Sequence, residues 1–333
     1  MLDLRHVNKC VSQVKFSMED RRVFLQYICI NGYLINFDMK SGYHHVDICS
    51  EHTQFLSFRW RLNSSNYRYF SFLVPPFGLS LAPFLFTKLF RPFVRHWRSL
   101  SFHVVLYLDD GVVCEENTNA ISSAAVVIRN DLVRAGIVPN KEKSLWSPCQ
   151  SLKWLGIILD LYSGHISIPE TRVAKLLSSI NKLKSKLPRV PARELGSIAG
   201  QIILFSLVVG NIAILMSRFL QNAVIFCNQK WASVLDLGQY QYYSQCLEEL
   251  EFWYAKCKIL NRRSLFEYSK PVVIMYSDAS NFASGGSAFF VDSAEFDLFY
   301  NPFLVSSQLK TITLESYFPS FTRSSLSKPT SRA

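Results

Sequence analysis

The chain has 333 residues, 49% of them hydrophobic and 18% charged, which is enough for two or three domains and too apolar for a disordered protein. Its 36 Lys and Arg residues against 25 Asp and Glu give a net charge of +11, which favours a polyanionic partner, nucleic acid ahead of an anionic membrane. Eight scattered cysteines without a C-x-x-C pair argue against a zinc knuckle or a disulfide framework and predict reduced thiols inside a cell.

Residues 1–160 alternate apolar strand-like runs with helical stretches, which predicts an α+β domain. Within "YLINFDMKSGYHHVDI", the apolar residues Leu34, Ile35 and Phe37 predict a strand that ends at Asp38. A turn-like Lys-Ser-Gly follows, and then Tyr43. The sequence therefore places one carboxylate at the end of a strand.

A second apolar run, "LYLDDGVV", contains Asp109 and Asp110. Its flanks predict two short strands, with both aspartates and Gly111 at or near the turn. One interpretation is ordinary turn chemistry at an exposed hairpin tip. The other is a metal site, because adjacent carboxylates repel unless a cation or a proton compensates them. If Asp38 lies on a neighbouring strand, the three carboxylates share one end of a sheet and suit Mg²⁺.

From Ile168 the pattern becomes helical. The segment "IPETRVAKLLSSINKLKSKLP" has apolar residues at helical spacing after a proline start, and its other face is basic. A basic helix face is usually just solvated, but beside a site that handles nucleic acid it would suit a phosphate backbone. The cationic residues of this face are Arg172, Lys175, Lys182, Lys184 and Lys186.

Residues 199–216, "AGQIILFSLVVGNIAILM", are uncharged over a length that could just cross a bilayer. Four interrupting residues favour a buried helix or helix pair instead: Gln201, Ser206, Gly210 and Asn211. The opening "MLDLRHVNKC" is charged and lacks the apolar core of a signal peptide. We therefore expect no membrane span and an intracellular location, in the cytoplasm, the nucleus or both.

A third pattern begins at Pro271. The segment "PVVIMYSDASNFASGGSAFFV" predicts a strand, then Asp278, then a glycine-rich turn and a second strand. The tail "TRSSLSKPTSRA" is polar and is predicted to be disordered.

Seven segments occur in the order found in the reverse transcriptases of retroelements, and the chain resembles most closely those of DIRS-type, tyrosine-recombinase retrotransposons. They are "LDLRHVNK", "FDMKSGYHHVDI", "PPFGLSLAPFLFTKLF", "LYLDDGVV", "GIVPNKEKS", "KWLGIILD" and "YSDASNFASGG". The resemblance runs from Leu2 to about Phe318 and implies a right-hand polymerase fold. It implies partial fingers and palm over 1–160, a helical thumb and connection over 161–265, the start of a ribonuclease H-like domain over 270–320, and a disordered tail over 321–333.

The resemblance also implies roles for the residues at the two acidic segments. Asp38 and Asp109 match the principal metal ligands of the family, and Asp110 matches the second aspartate of the catalytic pair. Tyr43 matches the aromatic steric gate, which lies under the nucleotide sugar and excludes a 2′-hydroxyl. Its alternative is a core aromatic residue.

Further positions match family elements around the nucleotide and the primer. Phe77 and Gly78 match the loop beneath the incoming base, although Pro-Phe-Gly alone would be an ordinary turn. Lys143 matches a lysine that can protonate the pyrophosphate leaving group, with Lys141 as its competitor and a surface lysine as the alternative for either. The primer grip, a strand turn that holds the primer 3′ end, is matched by Trp154, Leu155 and Gly156.

Two regions depart from the family pattern. The basic residues that clamp the triphosphate precede "LDLR" in the family, and here Arg5 and Lys9 remain. Asp278 fits the first ribonuclease H aspartate, and Glu315 sits near the position of the helix-borne glutamate. The remaining aspartates of that site belong beyond Ala333, so we expect no ribonuclease H activity.

The leading hypothesis is an RNA-directed DNA polymerase. It would extend a DNA primer on an RNA or DNA template with deoxynucleoside triphosphates and two Mg²⁺ ions (or Mn²⁺), handle an RNA–DNA hybrid, and act with other retroelement proteins. The alternative is a decayed or domesticated fragment that binds nucleic acid without efficient synthesis. A viral RNA-dependent RNA polymerase ranks third, because Tyr43 is the wrong gate for ribonucleotides.

Overall fold

The structure is a computed structural model that describes residues 3–61, 66–226, 233–265, 273–280, 282–291 and 296–302. The chain divides into two compact units, residues Met1–Phe266 and Glu267–Ala333. The helices of the described residues are α1 (Arg5–Cys10), α2 (Arg21–Leu25), α3 (Ser50–Thr53), α4 (Ala82–Ser99), α5 (Thr118–Arg134), α6 (Glu170–Lys184), α7 (Ala192–Leu204), α8 (Ser206–Val209), α9 (Ile212–Leu215), α10 (Arg218–Phe226) and α11 (Tyr243–Lys256). Short 3-10 turns cover Gly42–His45, Gln54–Leu56 and Leu237–Gln239.

The described strands form five separate sheets. The strands are β1 (Tyr33–Asp38), β2 (Ser57–Arg61), β3 (Tyr67–Ser71), β4 (His103–Tyr107), β5 (Asp110–Glu115), β6 (Leu145–Cys149), β7 (Ser151–Trp154), β8 (Ile157–Asp160), β9 (His165–Ser167), β10 (Arg189–Pro191), β11 (Val234–Asp236), β12 (Arg263–Ser264), β13 (Val273–Ala279), β14 (Ala283–Phe290) and β15 (Phe296–Pro302). The α+β prediction is confirmed.

A four-stranded antiparallel sheet in the order β4–β5–β1–β6 forms the centre of the larger unit. Its strand β1 lies between β5 and β6 and ends at Asp38, as the sequence predicts. Successive side chains of a strand point to opposite faces. Leu34 accordingly enters one hydrophobic core, while Ile35 and Phe37 enter another, and all three are at most 1% exposed.

Helices α4 and α5 cover the face that contains Ile35 and Phe37. Helix α4 contributes a row of buried aromatic and aliphatic side chains at helical spacing, which are Phe86, Phe90, Val94 and Trp97. Asn117 caps the start of helix α5, because its side chain accepts the backbone N–H of Ala120 at 2.9 Å. The indole of Trp97 donates to Asp131 at 3.0 Å, which ties the two helices together.

The other face of the sheet packs against the sheet β12–β9–β8–β7 and the helices from α6 onward. The segment 199–216 is distributed over α7, α8 and α9, with Ile202 and Ala213 fully buried but Leu204, Ile214 and Leu215 exposed, so the predicted helices are present and only partly buried. In the part of the chain that the structure describes, no helix combines the length and apolar character needed to cross a membrane.

A buried carboxylate holds two helices of this layer together. Glu249 on α11 is 3% exposed and accepts the backbone N–H groups of Phe219 and Leu220 at 3.0 and 2.9 Å, in the first turn of α10. Burial raises the pKa of this carboxyl to about 7, although the two backbone hydrogen bonds oppose the shift.

The smaller unit contains the three-stranded antiparallel sheet β13–β14–β15. Asp278 lies in β13, as predicted, and pairs in register with Gly285. The glycines predicted for the turn, Gly285 and Gly286, lie instead within β14.

Gly111 has a packing role. It lies within β5, opposite Phe37, and a Cβ placed on it would stand 2.1 Å from the Phe37 ring. Because that ring is fully buried, it has no room to give way. The sequence predicted this glycine at or near the turn, which the structure places at residues 108 and 109.

Gly111→Ala should destabilise the larger unit by about 1–3 kcal/mol or more, because it overpacks a filled core. Gly200→Ala is the matched control, since Gly200 lies in α7 with nothing within 4 Å of its added Cβ. That change should be neutral or stabilise by about 0.5–1 kcal/mol. Chemical denaturation measures both, and equal effects would contradict the packing role.

Glu249 should make stability depend on pH. Its pKa is raised in the folded state, so its contribution is fully present below its ordinary pKa of 4.5 and is lost as pH rises through about 7. The loss should be on the order of 3 kcal/mol. Glu249→Gln should remove most of this pH dependence between pH 5 and 8.5 in thermal melts, whereas the exposed neighbour Glu248→Gln should leave it unchanged. A wild-type slope in Glu249→Gln would refute the assignment.

Candidate active site

The three carboxylates predicted from the sequence lie at one end of the central sheet. Asp38 is the last residue of β1 and pairs in register with Asp110, the first residue of β5. Leu108 and Asp109 form the two-residue connection from β4 to β5, and Leu108 has a positive φ of 52°. The backbone oxygen of Asp109 accepts the N–H of Met39 at 3.0 Å. The hairpin turn is therefore held directly against the end of β1.

The Asp38 carboxylate is only 5% exposed and has two partners from the segment before β6. Its Oδ1 accepts the side-chain amide of Asn140 at 2.9 Å, and its Oδ2 lies 3.5 Å from the Lys143 ammonium. The backbone N–H of Asp38 donates to Ser144 Oγ at 3.0 Å. Of the two candidate lysines, both of which are exposed, Lys143 is the one that contacts Asp38.

Asn140 is a site residue that the sequence argument missed. It lies in the segment "GIVPNKEKS", in which only Lys143 and Lys141 were predicted to have a role. Its backbone N–H donates to the Asp38 carbonyl at 2.7 Å as well, so it grips the end of β1 by main chain and side chain together. An asparagine just before the predicted lysine was the available signal.

Crowding of the carboxylates shifts their proton affinity. The pKa of Asp110 is raised to about 6. Burial is the largest cause, and the charges of Asp109 and Asp38 and a hydrogen bond with Asp38 add to it. Burial and the charge of Asp38 raise the pKa of Asp109 as well. The cluster therefore concentrates negative charge that a cation would relieve.

The chemistry of this donor set fits a hard divalent cation, because Mg²⁺ takes carboxylate oxygens. Across the ranges that the structure describes, however, no three His, Cys, Asp or Glu side chains are arranged to hold one metal ion. The cation that contacts Asp38 in this arrangement is Lys143. The site thus has the ligands for a metal, with Asp38 engaged by protein donors.

The predicted gate, Tyr43, lies beside these carboxylates. Its ring packs at 5.5 Å from the ring of Phe77 and 5.6 Å from that of Phe86. A cavity of about 90 Å³ is lined by this aromatic group together with Gly42, Leu108 and Asp109. Burial and the charge of Asp109 raise the pKa of the Tyr43 hydroxyl. The structure therefore brings Tyr43, the loop residue Phe77 and Asp109 together around one cavity.

Gly78 shapes the same loop without lining the cavity. Its φ of +98° is a conformation that favours glycine. Asn8 on α1 donates to the Gly78 carbonyl at 2.8 Å and accepts the N–H of Ser80 at 2.9 Å. The loop is therefore fastened to α1 by a residue that the sequence argument did not single out.

Of the three residues predicted to form the primer grip, Trp154 is the last residue of β7, and Leu155 and Gly156 form the turn between β7 and β8. Leu155 and Gly156 have positive φ values of 43° and 80°, and Trp154 is 3% exposed and packs on Phe24 at 5.3 Å. Trp154 is thus a core residue that anchors the turn. A Cβ on Gly156 would stand 2.2 Å from the guanidinium of Arg172, so this arginine lies directly on the turn.

The predicted basic face divides into two groups. Arg172 and Lys175 are exposed on α6 and form no ion pair within the described residues. Lys182 and Lys186 share Glu194, at 3.9 and 2.6 Å, and Lys184 pairs with Glu251. Lys186 also lies beyond the end of α6. Three of the five predicted cations therefore lie next to a carboxylate, and the two carboxylates together offset two of the five positive charges.

The structure describes one of the two predicted ribonuclease H residues. Asp278 lies in β13 of the smaller unit and is exposed. Glu315 lies outside the described residues. The ribonuclease H assignment and the expected absence of that activity therefore stay predictions.

Comparison with known families matches residues 2–159 to the family described as reverse transcriptase (RNA-dependent DNA polymerase). Protein P of duck hepatitis B virus, strain United States/DHBV-16, is 26% identical over 152 residues, which is 45% of this chain and 17% of that protein. Protein P of strain Germany/DHBV-3 is 27% identical, over 45% of this chain and 18% of that protein. The chain thus spans less than a fifth of the length of these relatives.

Among solved structures, foamy viral protease–reverse transcriptases share the fold. The dRH form in complex with double-stranded DNA has a TM-score of 0.60 at 16% identity, covering 94% of this chain and 50% of that one. The form in complex with an RNA/DNA hybrid has a TM-score of 0.59 at 16% identity, covering 95% and 39%. Residues 2–159 therefore match a reverse transcriptase family model, and the chain shares its fold with these foamy viral proteins.

Arg172→Ala combined with Lys175→Ala should weaken binding of an RNA–DNA hybrid and flatten its salt dependence by about 1–2 in log–log slope, because each lost phosphate contact releases about one counterion fewer. Fluorescence anisotropy from 50 to 200 mM salt measures this. The matched pair Lys182→Ala and Lys186→Ala removes the same formal charge but should change the slope less, since both lysines already lie next to Glu194, which offsets one of their two charges. Equal slopes in the two double variants would contradict this division.

Proposed function

We propose that the chain is an RNA-directed DNA polymerase of a DIRS-type retroelement. The observation that carries this proposal is the meeting of Asp38, Asp109 and Asp110 with the cavity beside Tyr43, inside the segment that matches the reverse transcriptase family. The order of the seven sequence segments supports the DIRS type. The reaction is the addition of deoxynucleotides to a primer 3′ end.

The three aspartates are the residues that would hold Mg²⁺, which when bound supplies positive charge for the attacking and leaving oxygens of an in-line phosphoryl displacement. The side-chain amide of Asn140 fixes the orientation of the Asp38 carboxylate. The Lys143 ammonium lies 3.5 Å from Asp38 Oδ2, and in this proposal it would give a proton to the departing pyrophosphate. Removing Asn140 or Lys143 would therefore also disturb the position of the Asp38 carboxylate.

Tyr43 would select the sugar. Phe77 and Phe86 pack against its ring, and the ring lines the cavity of about 90 Å³ in which the sugar would lie, so the ring would occupy the space that a 2′-hydroxyl needs. Because the ring is supported by packing, it cannot swing away to admit a 2′-hydroxyl without disturbing the core. This favours deoxynucleotides over ribonucleotides.

An exposed ribbon supports nucleic acid as the partner. Strands β2 and β3 pair with each other, and register places Arg59 and Arg61 opposite Tyr69 and Tyr67 on one face. The Arg59 guanidinium lies 4.4 Å from the centre of the Tyr67 ring. Exposed arginines that alternate with exposed aromatic rings suit a backbone phosphate and stacked bases of a single-stranded template. The foamy viral proteins of the same fold were solved with double-stranded DNA and an RNA/DNA hybrid.

A second candidate function is binding of nucleic acid without efficient synthesis, as in a decayed or domesticated fragment. One observation favours it: within the described part of the chain, no three acidic, His or Cys side chains are arranged to hold a metal ion. Primer extension on an RNA template, with and without Mg²⁺, separates the two candidates.

Asp109→Asn should reduce primer extension by more than ~10²-fold, because it removes a central electrostatic group of the reacting site. Asp38→Asn should do the same. The fold should persist in both variants, since the crowded cluster loses a negative charge. The control is Asp47→Asn, which changes an exposed aspartate and should leave extension at the wild-type level. Near-normal synthesis by Asp109→Asn would overturn the assignment.

Tyr43→Val should admit ribonucleotides with little loss of deoxynucleotide use, because it removes the ring that fills the space beside the sugar. Tyr43→Phe keeps the ring and should retain the discrimination of the wild type. The ratio of kcat/KM for a deoxynucleotide and its matching ribonucleotide measures the effect. If Tyr43→Val discriminates as well as Tyr43→Phe, another residue is the gate.

A further inference from the structure

A second and larger cavity lies behind the catalytic turn. It has a volume of about 300 Å³ and is lined by α4, by the end of β4 and by residues 17 and 19 of the segment before α2. That volume is at the lower end of the range for small-molecule sites in proteins. Neither the metal ligands nor the gate residue Tyr43 contribute to it.

One side of the cavity is cationic. Arg91, Arg95 and Arg98 project from successive turns of α4, and Glu19 is the single carboxylate among the lining residues, which leaves a formal charge of +2. Helical spacing of four and three residues explains why all three arginines face the same way.

The arginines differ in what they contact. Arg98 grips Glu19 with two hydrogen bonds of 2.8 and 2.6 Å and also donates to the Val104 carbonyl at 2.7 Å, so this pair forms a fixed wall. Arg91 and Arg95 are exposed and have no ion pair or hydrogen bond within the described residues. Two guanidinium groups at one cavity, with their donors uncommitted, are suited to bidentate recognition of a phosphate.

Another part of the cavity lining is apolar. Its residues Phe90, Val94 and Leu106 are 2%, 9% and 8% exposed, so they offer a firm surface backed by the core. A simple anion would leave this surface wet, and a purely apolar molecule would leave two guanidinium groups unused. The chemistry matches a ligand with an anionic end and a less polar body.

We propose that this cavity binds a nucleoside phosphate, with the phosphate on Arg91 and Arg95 and the nucleoside against Phe90, Val94 and Leu106. A free mononucleotide and the 5′-phosphorylated end of a nucleic-acid strand share this chemistry. Such a site would be separate from the one that supplies the nucleotide for synthesis.

Leu108 gives this site a route to the reacting centre. Its side chain lines both the 300 Å³ cavity and the 90 Å³ cavity beside Tyr43 and Asp109, and its φ of 52° is an unfavourable conformation for a leucine. A ligand that presses on Leu108 from behind changes the space in front of it. This part rests on the proposed polymerase function, and by linkage the two ligands affect each other's binding equally.

The test is calorimetric titration of the full chain with adenosine monophosphate in buffer that contains EDTA. Wild type should bind one equivalent, and Arg91→Ala combined with Arg95→Ala should weaken binding at least tenfold. The control Arg129→Ala combined with Arg134→Ala removes two exposed arginines of α5 and should bind like wild type. Asp109→Asn should also bind like wild type, which keeps this result independent of polymerase activity.

Wild-type affinity in the Arg91/Arg95 double variant, with its melting temperature preserved, would overturn the proposal. Loss of binding in Asp109→Asn would overturn it too, by moving the ligand to the catalytic cavity. Inorganic phosphate or adenosine binding as tightly as the monophosphate would refute the two-sided recognition. A 5′-phosphorylated trinucleotide that binds more tightly than the monophosphate assigns the site to a strand end, and weaker binding assigns it to a free nucleotide.

The link through Leu108 is tested by primer extension. Adenosine monophosphate should change the KM for the deoxynucleotide in wild type and in the α5 control, but not in the Arg91/Arg95 double variant. The same shift in all three proteins would show competition at the catalytic cavity and would refute the link. If the chain does not synthesise DNA at all, the titration still decides whether the site exists.

Discussion

Burial of strand β1 between two partners is the constraint on which the rest of the larger unit depends. Its side chains enter the cores on both faces of the central sheet, so the strand cannot slip by one residue without exchanging those faces. The same register sets Asp38 opposite Asp110. Two carboxylates that repel each other are therefore held together by the hydrophobic burial of the residues before them.

Aromatic side chains connect the core on one face of the central sheet to the cavity beside Tyr43. On α4, Phe86 stacks on Phe90 at 4.4 Å, and Phe86 also contacts the Tyr43 ring. Phe37 fills the space that Gly111 leaves open on the neighbouring strand. The Tyr43 ring is thus packed against the hydrophobic core, which holds it in one position next to the charged groups.

In the helical layer, some of the basic side chains pair with carboxylates and others do not. Glu194 and Glu251 lie next to the lysines at the end of the basic face, while Arg172 stays next to the turn of Gly156. Further positive charge lies on the exposed ribbon of Arg59 and Arg61. The net charge of +11 favours a polyanionic partner, and long-range pairing decides which lysines of the helical layer lie next to a carboxylate.

What the sequence determined by itself is what short-range pattern encodes. The strand before Asp38, the paired aspartates, the start of α6 and the helices in residues 199–216 follow from periodicity and local chemistry. Only the tertiary structure decided that Asn140 and Lys143 meet Asp38, that Glu249 caps α10, and that Leu108 separates two cavities. Those contacts join residues far apart in the chain, and their geometry depends on how whole elements pack, which no local window of residues contains.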